Sequence, residues 1–94
     1  MKNTMKGKIA RIAVNHTTQL VTLMLEGDQT VHVFRAPCLR NPSGKKNAAL
    51  DLAGAGDEVS IEYWEASKNA PMTGELEVWE NTTLGLSCGT PGML

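Results

Sequence analysis

Two groups of side chains in this chain are suited to recognition chemistry: the aromatic rings Phe34, Tyr63, Trp64 and Trp79, and the cations Arg11, Arg35, Arg40, Lys45 and Lys46. Aromatic faces stack nucleic-acid bases for about 1–3 kcal/mol each, and cations neutralise phosphates. No comparable set serves catalysis. His16 and His32 have no second histidine at ligand spacing, so no metal site is expected. Asp57 and Glu58 are adjacent, which on a strand sends them to opposite faces. Cys38 has no visible base to activate it as a nucleophile. Gly54-Ala55-Gly56 lacks the Lys-Ser/Thr ending and the following helix of a phosphate-binding loop. The sequence predicts a non-enzyme with no metal and no other cofactor.

Charge divides the chain. Nine Lys+Arg against ten Asp+Glu leave a net charge of −1 over 94 residues, which argues against a strongly basic, non-specific nucleic-acid glue. Residues 1–46 nevertheless hold eight cations and two acids (+6), and residues 47–94 hold one cation and eight acids (−7). Lys8, Arg11, Arg35, Arg40, Lys45 and Lys46 would then form a basic stripe, with acid on the later strands. The alternative is that the two halves interleave in a sheet and pair their charges across strands.

Positioning these residues requires a β framework. At 94 residues and 41% hydrophobic content, the chain is the size of one globular domain. Alternating stretches predict strands over 6–14, 20–26, 30–35, 58–65 and 75–80, with turns at 15–18 and at Gly27-Asp28. Val21, Leu23 and Leu25 share one face, as do Val59, Ile61 and Tyr63, and Leu76 and Val78 face inward. Residues 47–53 read as about two turns of helix stopped by Gly54. One domain over residues 1–84 is expected, followed by a flexible tail over 85–94.

The order of three strands, a short helix and two strands predicts an all-β fold. It resembles the OB-fold, which implies a small five-stranded Greek-key barrel with one short helix between the third and fourth strands. Lys6-Gly7-Lys8-Ile9-Ala10-Arg11-Ile12 is similar to the opening strand of replication-protein-A-like single-strand binding domains. Leu23-Met24-Leu25-Glu26-Gly27-Asp28 resembles their second-to-third strand turn, Gly56-Asp57-Glu58-Val59-Ser60-Ile61 the start of their fourth strand, and Gly74-Glu75-Leu76-Glu77-Val78 their last strand. The likeness runs over residues 6–84, with two departures: the third strand lacks a tryptophan often found there, and the net charge is not basic. An SH3-like barrel is the second choice of fold, and the helix counts against it.

The resemblance implies a non-catalytic module for single-stranded nucleic acid, DNA before RNA. With Val31 and Val33 inward, strand parity turns His32 and Phe34 outward beside Thr22 and Met24, the surface on which OB-folds commonly hold nucleic acid. The expected site is therefore Arg11, Thr22, His32, Phe34, Arg35, Arg40, Lys45 and Lys46. Phe34 has an alternative, to turn at the strand end into the core below the helix. The loop from Pro37 to Lys46 either reaches phosphates or is a solvated tip.

Trp64 and Trp79 share a face with Glu62 and Glu77, which suits a protein partner or a homo-oligomer seam better than phosphate. Alternatively, the N-terminal arm or the tail folds over them. The second functional reading is accordingly a protein-interaction or homo-oligomerising module. Two cysteines without metal spacing, Cys38 and Cys88, read as reduced thiols, and no apolar run has the length of a membrane span or export signal. A cytoplasmic protein without membrane contact is expected.

Overall fold

The structure is a computed structural model that describes residues 2–37 and 49–88. Six strands follow one another: β1 (Lys2–Asn15), β2 (Leu20–Leu25), β3 (His32–Arg35), β4 (Glu58–Glu65), β5 (Gly74–Asn81) and β6 (Leu86–Cys88). Residues 49–51, between β3 and β4, form a helical turn. β1 pairs antiparallel with β2 at its C-terminal half and with β4 at its N-terminal half; β2 pairs with β3, and β4 with β5, in the same sense. A parallel pairing of β3 with β5, Phe34 opposite Gly74 and Arg35 opposite Glu75, closes the ring. The result is the expected small all-β barrel, closed in the strand order β1-β2-β3-β5-β4. β6 adds antiparallel to the outer side of β5.

Local chemistry explains the turns. The Oδ1 of Asn15 accepts hydrogen bonds from the backbone N–H groups of Thr17 (3.0 Å) and Thr18 (3.1 Å), an Asx turn that starts the β1–β2 hairpin. Gly27 lies at φ +80°, where a side chain would be strained, and Asp28 Oδ1 then accepts from Thr30 N at 2.9 Å. Gly74 answers to sterics instead. A Cβ there would sit 2.2 Å from the carbonyl oxygen of Trp64, so only glycine lets β5 lie against β4 at the point where it also meets β3.

Inside the ring, Ile9, Val21, Leu23, Leu25, Phe34, Val59, Ile61, Tyr63, Leu76 and Trp79 form the core. Phe34 meets Tyr63 edge-on, ring centroids 5.0 Å apart, an arrangement the aromatic quadrupoles favour. Ala49 and Leu50 of the helical turn are buried against the same cluster, which is how so short a helical segment persists.

The structure corrects the sequence reading at five places. β1 begins at Lys2 rather than Lys6, because β4 supplies a partner for every residue from Lys2 to Lys8. β3 begins at His32 and has the opposite parity to that expected. Val21 faces Phe34 and Leu23 faces His32 across the pair, so Phe34 is fully buried while Val31 is 52% exposed. In β5, a bulge shifts the register: Glu62 pairs with Val78 but Tyr63 pairs with Leu76, leaving Glu77 as the extra residue. Inserting one residue inverts parity beyond it, so Trp79 turns into the core at 0% exposure. The segment expected as tail contains β6, residues 86–88, and residues 89–94 lie outside the described part. Finally, Cys88 is buried and disulfide-bonded, not a reduced thiol; Cys38, the chain's other cysteine, lies outside the described residues.

Candidate nucleic-acid interface

The outward face of β1, β2 and β3 is built by pairing. Ala13 stands beside Thr22, Thr22 beside Val33, and Arg11 beside Met24. Arg11 and Thr22 are exposed on this face. A groove of about 600 Å³ opens across it, lined by Arg11, Ala13, Thr22, Met24 and Val31 and walled by residues 53–55. The wall is fixed to β1 by Gly56 N donating to the carbonyl of Ile9 at 2.8 Å. Among the described residues, no carboxylate lines this groove. An apolar floor with one guanidinium on its edge can take a flat apolar group with an attached anion.

The expected site residues divide under this geometry. Arg11 and Thr22 come together at the groove. Arg35 is exposed at the end of β3, with Nε 3.9 Å from Glu75 Oε1, a loose surface ion pair. His32 is not an outward ligand: it faces the core side, stacks on Phe34 at 6.2 Å, and shares a 3.1 Å hydrogen bond with Asp28 Oδ2. That bond, with the backbone hydrogen bond from Thr30, holds the Asp28 carboxyl below its ordinary range. Phe34 is no stacking platform, since its ring has no exposed surface. Arg40, Lys45 and Lys46 lie outside the described residues.

Val31 and the wall at 53–55 were not legible as site residues. Val31 has the composition of a core position, and only the β2–β3 register turns it out. For residues 53–55 the one signal was their small size, which leaves room for a groove.

On the far side of β1 the surface changes sign. Glu58, Ser60, Glu62 and Trp64 alternate outward along β4, and Glu80 of β5 lies beside Ser60. Trp64 is 48% exposed, whereas Trp79 is fully buried and not available to any partner. Lys2 bridges Glu62 (3.2 Å) and Glu77 (3.1 Å), and both carboxylates raise its pKa. The ammonium is the partner of the buried Glu77 Oε2. Here, the charges of the two chain halves do pair across strands.

Among the described residues, no group of three or more His, Cys, Asp or Glu side chains is placed to hold a metal ion. Likewise, none of their helices is long and apolar enough to cross a membrane. No protein-family model, no curated protein and no solved structure matches the chain, so its functional reading stands on this geometry alone.

Proposed function

We propose that this chain is a non-catalytic module that binds single-stranded nucleic acid, DNA before RNA, across the outward face of β1, β2 and β3. The observation that carries the reading is the carboxylate-free groove with apolar walls and Arg11 on its edge. A nucleotide is an amphiphile of that kind, with a flat base and an anionic phosphodiester. Met24 and Val31 would receive the base edge and face, and Arg11 the phosphate. Without an exposed ring on this face among the described residues, each base gains less than the roughly 1–3 kcal/mol of aromatic stacking, so binding should be modest and strongly salt-dependent. The disulfide at Cys88 favours an oxidising setting over the cytoplasm expected from the cysteine count.

Polarisation of labelled single-stranded DNA and RNA, titrated with the protein at low and near-physiological salt, tests the proposal. Binding that weakens with salt and falls in Arg11→Ala supports it. No binding at low salt removes it.

A second reading, a protein-interaction or homo-oligomerising module, is favoured by one observation, the exposed Trp64 on the acidic face. Trp64→Ala would then dissociate a complex, read by light scattering, and the wild type would not bind the labelled oligonucleotides.

A further inference from the structure

We propose that the outward row of β1, Lys6, Lys8 and Arg11, is the phosphate track of this site, so that the strand's backbone runs along β1 and its bases turn toward β2 and β3. The inference rests on the nucleic-acid reading and adds Lys6 and Lys8 to it.

Parity carries the argument. Lys6 and Lys8 are two residues apart and exposed on the same side of β1, roughly 6.6 Å from one another along the strand. A regular strand would send Arg11 to the other side, into the barrel. The register shift between Ile9 and Arg11 inserts Ala10 as an extra residue, so Arg11 returns to the face of the two lysines and pairs with Met24. Bulges commonly re-aim a side chain in this way. Three cations thus form one row on a single strand.

The row is also electrostatically available. Lys2, at its N-terminal end, is committed to Glu62 and Glu77. Lys6, Lys8 and Arg11 have no carboxylate within ion-pair distance among the described residues. Beside Lys6 and Lys8 a hollow of about 420 Å³ is walled on the β4 side by Glu58 and Glu80. Those carboxylates repel a phosphodiester from that side. Across β1, beside Arg11, the groove with Met24 and Val31 carries no acid among the described residues. A polyanion held by the row has one uncharged side on which to lay its bases.

The test is the salt dependence of binding to a labelled fifteen-nucleotide oligo-dT, compared across variants shown to be folded by circular dichroism. Each single-strand phosphate contact contributes about 0.7 to the slope of log K against log salt. Lys6→Ala with Lys8→Ala should flatten the slope by about 1.4, and Arg11→Ala by about 0.7. Val31→Ser should weaken binding without changing the slope. Lys68→Ala, on the exposed loop between β4 and β5, serves as control and should change neither. If the wild type binds but the double variant keeps its slope, the track is wrong and the nucleic-acid reading stands. A Lys68→Ala effect equal to that of Lys6 or Lys8 also overturns the track, since any surface cation would then serve. If the wild type fails to bind at low salt, both readings fall together. Should the double alanine variant not fold, Lys6→Gln with Lys8→Gln carries the same expectation.

Discussion

The indole Nε1 of Trp79 donates to the carbonyl of Ala49 at 3.0 Å inside the barrel, tying β5 to the helical turn that follows β3. Trp79→Phe keeps most of the apolar volume but strands that carbonyl, a loss of about 1–3 kcal/mol. Trp79→Ala adds a cavity and should cost about 3–5 kcal/mol. Urea denaturation followed by circular dichroism reads both. Light scattering should find neither variant changed in association state while folded, because Trp79 has no surface to offer a partner.

Phe34 makes the same point for the nucleic-acid face. Its ring is packed edge-on against Tyr63 at 5.0 Å, so Phe34→Ala should lower stability by about 3–5 kcal/mol. The volume-conserving Phe34→Leu should lower it less and leave nucleic-acid affinity, measured per folded molecule, unchanged. A Phe34→Leu variant that stays fully stable yet loses affinity would falsify the buried placement.

The barrel was legible where the apolar period of two was long and unbroken. Leu20 to Leu25 announces Val21, Leu23 and Leu25 as core, and Val59, Ile61 and Tyr63 do the same for β4. Parity failed where a strand was short or interrupted. β3 has four residues, and Val31-His32-Val33-Phe34 reads equally well in either phase; its register with β2, a long-range property, decides. The bulges at Ala10 and Glu77 leave no local mark either, since each depends on what the neighbouring strand demands. The candidate site suffered most because it lies on just those elements. Arg11 is outward only because of the first bulge, and Trp79 is inward only because of the second.

Acid titration should reveal the hydrogen-bonded Asp28 carboxylate. Its pKa is held down first by the His32 hydrogen bond and then by the Thr30 backbone. A folded-state pKa below the unfolded one means the stabilising contribution is complete above the ordinary value of 3.8 and is lost as pH falls through the lower folded value. Urea midpoints measured down to about pH 2 should therefore fall less steeply for Asp28→Asn than for the wild type. Lys2 acts at the other extreme. With its pKa raised by Glu77 and Glu62, its contribution is present below 10.5 and lost as pH climbs past the folded value, so Lys2→Met should flatten the alkaline limb.

Ring closure makes the sharpest stability prediction, through two glycines of different consequence. A Cβ at Gly7 would lie 3.2 Å from Leu25 Cδ1, the end of a side chain that can shift by a few tenths of an ångström. Gly7→Ala should cost about 1–3 kcal/mol at most, as overpacking usually does. At Gly74 the obstacle is backbone: the carbonyl oxygen of Trp64 at 2.2 Å, with the Tyr63 ring at 2.9 Å behind it. Gly74 pairs with Glu65 on β4 and with Phe34 on β3, so moving it away from one strand breaks the other ladder. Gly74→Ala should therefore cost more than about 4 kcal/mol, the range reserved for named structural failures, and in a domain this small should leave little folded protein. Circular dichroism and thermal melting of the two variants side by side provide the check. A Gly74→Ala protein that melts with the wild type would mean that β5 does not approach β4 and β3 at this residue.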